Sequence, residues 1–250
     1  MSDPTPSAAP SSNYIPLVTD ASRVARVLFS PGAVFEEQRD KPTWFMPWLV
    51  ISLVVVAVGL FSMPYTDRMM ELAMQSRGGG GQPIPAGVRT FSRIMALIGG
   101  PIYFLLLGAL GALVMWVTLM ISGGKVRYKG LLSAAVFSSA TGVLQMIAQV
   151  VVLRIRGTPQ EAIRTMQDAR VTLGLDLLLP ADATVSPFLR TLLAGVGPLQ
   201  IWALIITAVG VMVLERQDKG NAWMAAIASY VVLLVVGALL AGLGGGGGAG

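Results

Sequence analysis

The chain alternates between long apolar stretches and short polar ones. Apolar runs begin near Thr43, Met95, Gly130, Arg190 and Asn221. A run of ~20 apolar residues rises ~30 Å as a helix, which matches the hydrocarbon thickness of a bilayer. The pattern predicts five spans, over 44–63, 94–121, 130–153, 191–214 and 221–243. The expected fold is an all-α integral membrane protein: a five-transmembrane-helix bundle with short amphipathic interfacial helices. Residues 1–18 read as a disordered tail, 19–243 as the membrane domain and 244–250 as a glycine-rich flexible tail.

Polar punctuation adds detail between the spans. Thr19 or Asp20 can cap a short helix carrying Val24, Val27 and Leu28 on one side and Arg23 and Arg26 on another. Ser30-Pro31-Gly32 stops it, and Phe35 opens a second short piece. Such a segment suits the headgroup layer, where apolar side chains dip in and Arg meets phosphate. After the first span a loop is expected, with a short helix from Asp67 to Arg77 and a hinge at Gly78–Gly81. Gly99-Gly100-Pro101 inside the second span should kink or break it. Thr158-Pro159-Gln160-Glu161 is a capping box that should start a helix through Ile163, Met166 and Ala169. Leu175–Leu179 is apolar but too short to cross.

Composition narrows the chemistry. Hydrophobic residues make up 54% of the chain and charged residues 12%, roughly half the charge of an ordinary soluble domain. Cysteine and histidine are both absent, so disulfides, the usual zinc, haem and iron–sulfur ligands, and Ser-His or Cys-His catalysis have no residues to use. No carboxylate lies in the middle of a span, which speaks against a proton relay or an intramembrane aspartyl protease. HExxH, GxSxG and Walker patterns are missing as well. These observations predict a protein that is not an enzyme and needs no cofactor or metal. Residues 1–13 lack the basic start and apolar core of a cleavable signal.

The net charge is +5, with the basic residues beside the spans. That placement favours membrane lipids as partners, with other membrane proteins or a homo-oligomer next, and no nucleic acid. Candidate lipid or partner contacts are Arg23, Arg26, Phe29 and Phe35 before the first span, and Lys125, Arg127 and Lys129 in the turn before the third. The short turns 122–129 and 215–220 are rich in Lys and Arg and lie on the N-terminal side. By the positive-inside rule this places the N-terminus in the cytoplasm.

One polar face stands out within the spans. Ser138, Thr141, Gln145 and Gln149 recur at three- and four-residue spacing, so they share one side of the third helix. Such side chains seek partners on neighbouring helices, and Gln200 on the fourth span is the expected one. The alternative is a hydrophilic path. Small residues form a second stripe, with Ala225, Ser229, Gly237 and Ala241 on the fifth span and Gly108 and Ala112 on the second. Spans two to three and four to five also echo one another, each pair beginning near a Gly-Pro (Gly100-Pro101, Gly197-Pro198).

The stretch Arg26-Val27-Leu28-Phe29-Ser30-Pro31-Gly32 with Phe35, the Trp44–Trp48 start of the first span and the order of five helices resemble the Yip (Ypt/Rab-interacting protein) domain family, in its bacterial-type branch. The resemblance covers about Val24 to Leu243. It implies a five-span helical bundle with a cytoplasmic N-terminus. Eukaryotic members bind prenylated Rab-type GTPases and act in vesicle traffic and membrane shaping. Their Asp-Leu-Tyr-Gly-Pro type signature is missing before the first span here, so no functional residue is carried over. The expected role is a non-enzymatic protein that organises or scaffolds membrane or protein partners. The competing role is a transporter or channel for a neutral or hydrophobic solute, with a path past Gly99-Gly100-Pro101 and the Ser138–Gln149 face.

Overall fold

Helices are the elements whose backbone needs no outside partner in lipid, and close packing at small residues with hydrogen bonds between helices holds the spans together. The computed structural model describes residues 16–76, 85–165, 168, 173–179 and 185–245. Every regular element among them is helical: α1 (Pro16–Arg26), α2 (Pro31–Glu36), α3 (Phe45–Ser76), α4 (Ala86–Ile121), α5 (Tyr128–Ser138), α6 (Ala140–Ile155), α7 (Pro159–Ala162), a 3-10 turn (Leu175–Leu178), α8 (Pro187–Ala194), α9 (Pro198–Leu214) and α10 (Lys219–Gly245). α3, α4, the α5–α6 pair and α10 are each long and apolar enough to cross a membrane. α8 and α9, bent by 62° relative to each other, pass the same test only together, so the count is four crossings, or five where that pair is one broken span.

α4, α5, α9 and α10 pack in a ring, each against the next. α3 lies outside this ring against α4 and α6, and α1 packs on α3. Small residues set the closest approaches. A Cβ added at Gly111 of α4 would sit 3.0 Å from Ser229 Oγ of α10, and one at Gly100 would sit 2.9 Å from Val55 Cγ1 of α3. Ala225 and Ser229 of the predicted stripe are buried, whereas Gly237 faces open space.

Several expectations are corrected by the structure. α1 begins at Pro16, so Thr19 and Asp20 lie inside it and do not cap it. α2 begins at Pro31, earlier than the expected Phe35, because proline with its fixed φ suits a first helical position. No loop follows the first span: α3 runs through Pro64 to Ser76. Carbonyls around that proline gain other donors, with Ser62 Oγ on Gly59 O at 2.9 Å and Arg154 Nη2 on Phe61 O at 3.3 Å. α4 runs unbroken through Gly99-Gly100-Pro101. The third span is divided at Ser139, and the fourth is the bent α8–α9 pair. The capping box at Thr158 and Glu161 forms, but its helix ends at Ala162. Ile163 turns extended and is fully buried. The Gly78–Gly81 hinge, Met166 and Ala169 lie outside the described residues.

With 32 and 36 residues, α3 and α4 are about 48 and 54 Å long, well beyond one bilayer crossing. Their overhanging ends meet through an Arg93–Asp67 ion pair. Tyr65 OH donates to Gly157 O at 3.1 Å, and Arg68 Nε donates to Ile163 O at 3.3 Å. Tyr65, Leu153, Ala162 and Ile163 form a small separate core there.

Candidate functional site

Two regions bring together the residues singled out above. The first is the end of the bundle that carries α1 and α2. Val27 and Phe35 are fully buried against α5 and α9, and Phe35 meets Phe137 edge to face at 5.7 Å. Phe35 is therefore a core residue and not a surface contact; burying such a ring contributes about 1.5–3 kcal/mol. Trp202 Nε1 donates to Leu28 O at 3.0 Å and ties α9 to the α1–α2 connection.

The basic residues at this end divide into two kinds. Arg23 pairs with Asp20 at 3.0 Å and with Glu37 at 3.2 Å, and Arg26 pairs with Glu37 at 2.7 Å. Those hydrogen bonds and charges hold the Glu37 carboxyl below its usual range, the bond from Arg26 contributing most. Arg127 stays more than half exposed but is bonded as well: Nη2 donates to Leu214 O at 2.7 Å and to Arg39 O at 3.3 Å. Its backbone N–H donates to Glu215 Oε2 at 2.6 Å, while Glu215 Oε1 lies 3.5 Å from Arg127 Nε. Burial pushes the Glu215 carboxyl up, and the bond and charge of Arg127 pull the other way. A Cβ at Gly130 would strike Glu215 Oε1 at 1.8 Å, so only glycine leaves room for this carboxylate. Lys125 and Lys129 are exposed, and Phe29 is 83% exposed at the turn between α1 and α2. Of the seven contact candidates, Arg23, Arg26 and Arg127 brace the platform, Phe35 fills its core, and Phe29, Lys125 and Lys129 face outward.

The second region is a cavity of about 740 Å³ between α4, α6, α8–α9 and α10. The predicted polar face lies along it. Gln200 Nε2 donates to Gln145 Oε1 at 2.7 Å, and Thr141 and Gln149 line the same space. Ser138 lines an adjoining space of about 220 Å³. Here too a correction is needed. Ser138 Oγ donates to Ala135 O and Thr141 Oγ1 to Ser138 O, each at 2.8 Å. Both hydroxyls bond carbonyls three residues back in their own span instead of reaching a neighbouring span, as Ser and Thr commonly do. Gly99 and Gly100 also line the cavity.

Sequence reading missed Tyr230, whose hydroxyl donates to Gly195 O beside the cavity. A tyrosine beside Ser229 in the middle of an otherwise apolar span was the available signal. It also missed the Arg127–Glu215 pair, whose partners are far apart in sequence. Among the described residues no group of three or more His, Cys, Asp or Glu could hold a metal.

Comparison with known proteins fits this architecture. "Membrane protein YknW" of Bacillus subtilis (strain 168) is 24% identical over 218 residues, covering 87% of this chain and 89% of that protein. No solved structure matches. The family model described as "Yip1 domain" matches residues 25–242, nearly the extent expected from the Arg26–Gly32 and Trp44–Trp48 motifs, and the chain is therefore a multi-pass membrane protein belonging to the Yip1-domain family.

Proposed function

We propose that this chain is a non-enzymatic organiser of its membrane, seated in a bacterial cytoplasmic membrane with the N-terminal end facing the cytoplasm. It works by presenting the α1–α2 platform to anionic headgroups and to other membrane proteins, a second copy of itself included. One observation carries the reading: Phe29, 83% exposed, projects from a connection that is otherwise pinned by Phe35, Trp202 and the Arg–Glu37 pairs. An ordered platform with an exposed aromatic residue, and with Lys125 and Lys129 at the same end, suits an interface where apolar tips dip in and ammonium groups meet phosphate. The short Lys- and Arg-bearing turns at this end support its cytoplasmic placement.

The test uses the full chain in nanodiscs of mixed phosphatidylglycerol and phosphatidylcholine. Replacing Phe29 with Ser and Lys125 and Lys129 with Gln should reduce the anionic lipid retained on extraction several-fold. Retention equal to that of the parent protein removes this mechanism.

A second reading, passage of a neutral solute, is favoured by the cavity beside Gly99, Gly100 and the Gln145–Gln200 pair. Glycerol flux into proteoliposomes above the empty-liposome rate supports it, and an unchanged rate removes it.

A further inference from the structure

The two adjoining cavities follow α4 from Gly99 to Met115. That stretch of helix is about 24 Å long. None of the residues lining either space is Asp, Glu, Lys or Arg. An ionised ligand would therefore leave water without a counter-charge, at a cost of several kcal/mol. The larger space, about 740 Å³, falls in the ~300–1,000 Å³ range of small-molecule sites. Much of its wall is apolar, from Phe104, Leu107, Met146, Leu199 and Leu233.

The polar part of the wall is neutral throughout, with hydroxyl lone pairs beside the amides of Gln145, Gln149 and Gln200. Ser138, Ser139, Thr141 and Thr207 each donate their hydroxyl proton to a carbonyl three or four residues back in their own span. Tyr230 spends its proton on Gly195 O. A hydroxyl whose proton is committed offers only lone pairs to whatever lies beside it. Gln200 Oε1 is buried and accepts no hydrogen bond, although its amide nitrogen is engaged with Gln145. A Cβ at Gly197 would sit 2.8 Å from that oxygen, so the glycine makes room for the amide. Neutral donors and acceptors in an apolar surrounding favour a ligand that forms hydrogen bonds without bringing charge.

We infer that this cavity is a binding site for an uncharged amphiphile with a hydroxyl- or amide-bearing head, the head at Gln145, Gln200 and Tyr230 and the tail along Phe104, Leu107 and Leu233. The site shares its place with the passage reading above but requires no passage.

The experiment uses the full chain in phosphatidylcholine nanodiscs, with monoolein as the neutral probe and oleate and oleylamine as charged counterparts of the same chain length. Native mass spectrometry should show monoolein bound at least tenfold more tightly than either ion, and Gln200→Leu should weaken monoolein about tenfold. The natural lack of cysteine permits a second measurement. Ala203, which lines both spaces, is replaced by Cys. Its reaction with an uncharged thiol reagent should slow at least fivefold when monoolein is present and not when oleate is. Equal binding of the three probes, full affinity in a folded Gln200→Leu protein, or an Ala203→Cys thiol that monoolein does not protect would each overturn the site. If Gln200→Leu fails to fold, the thiol measurement decides alone. Monoolein protection without glycerol flux keeps the site and removes passage; flux without protection does the reverse.

Discussion

Gly100-Pro101 lies within α4 and Gly197-Pro198 lies between α8 and α9, yet the helix continues through the first and stops at the second. The dipeptides are identical, so the difference comes from what surrounds them. At Pro101 the residues on both sides stay helical and pack on α3, with Gly100 against Val55 and Trp48 Nε1 donating to Pro101 O at 3.1 Å. At Pro198 the preceding Gly197 is extended, with φ −157° and ψ 175°, and the proline occupies the first turn of a new helix. The carbonyls freed by that break have outside donors. Tyr230 OH bonds Gly195 O, and Leu175 N–H bonds Val196 O at 2.9 Å. A break inside a membrane is tolerated only where such partners exist. Gly-Pro marks where a helix can stop, and the neighbouring chain decides whether it does.

The sharpest way to break this comparison is to add one methyl group at each site. At Gly197 a Cβ would come within 2.5 Å of Leu173 O, and within 3.1 Å of Gly174 Cα. These are backbone atoms of the segment that plugs the break, and they cannot turn aside. Gly197→Ala should cost about 2–3 kcal/mol, the upper range for overpacking, and is read as a lowered unfolding temperature by tryptophan fluorescence in detergent. At Gly100 the obstacle is the end of the Val55 side chain at 2.9 Å. Gly100→Ala should cost less than about 1 kcal/mol, because Val55 can shift and alanine is the better helix former. Equal losses at the two positions would mean that the plug does not hold the break.

A smaller effect separates the hydrogen bonds at the two sites. Gly195 O follows the last turn of α8 and has no donor within its own helix. Tyr230→Phe should therefore cost about 1–3 kcal/mol, the penalty for a buried acceptor left unpaired. Pro101 O sits inside an unbroken helix and keeps its in-helix donor. Trp48→Phe should cost only about 0.5–1 kcal/mol for the lost bond. Hydrogen–deuterium exchange at residues 195–200 should rise in Tyr230→Phe and stay level in Trp48→Phe.

The same contrast explains how far the sequence could be read. The order and approximate place of the apolar helices follow from apolar length alone: α4 and α10 contain 94–121 and 221–243, and α3 starts one residue inside 44–63. Gln145 and Gln200 were legible because an amide at span depth must find a partner, and spacing put Gln145 on one face with Gln149. What stayed hidden depends on contacts between distant residues. Nothing near Pro64 or Pro101 in sequence reveals that the helix continues through them. Phe35 looks like an interfacial aromatic until Phe137, about a hundred residues on, covers it. Arg127 looks like a free cation until Glu215 and the carbonyls of Leu214 and Arg39 claim it.

The smallest expected effect carries the opposite sign. A Cβ at Gly99 meets nothing within 4 Å, and the residue lies inside α4, where glycine costs about 0.5–1 kcal/mol relative to alanine. Gly99→Ala should therefore raise stability by about that amount, seen as a small upward shift in unfolding temperature. The open space at Gly99 is also part of the large cavity, so the new methyl group enters it. If the glycine is there only because α4 tolerates it, the variant is more stable and otherwise unchanged. If the cavity is a working site, the variant is more stable and its affinity for monoolein falls severalfold, because stability and site volume then make opposite demands on one position. A destabilised Gly99→Ala protein would contradict both outcomes, since it would mean that Gly99 is not an ordinary helical position with open space beside it.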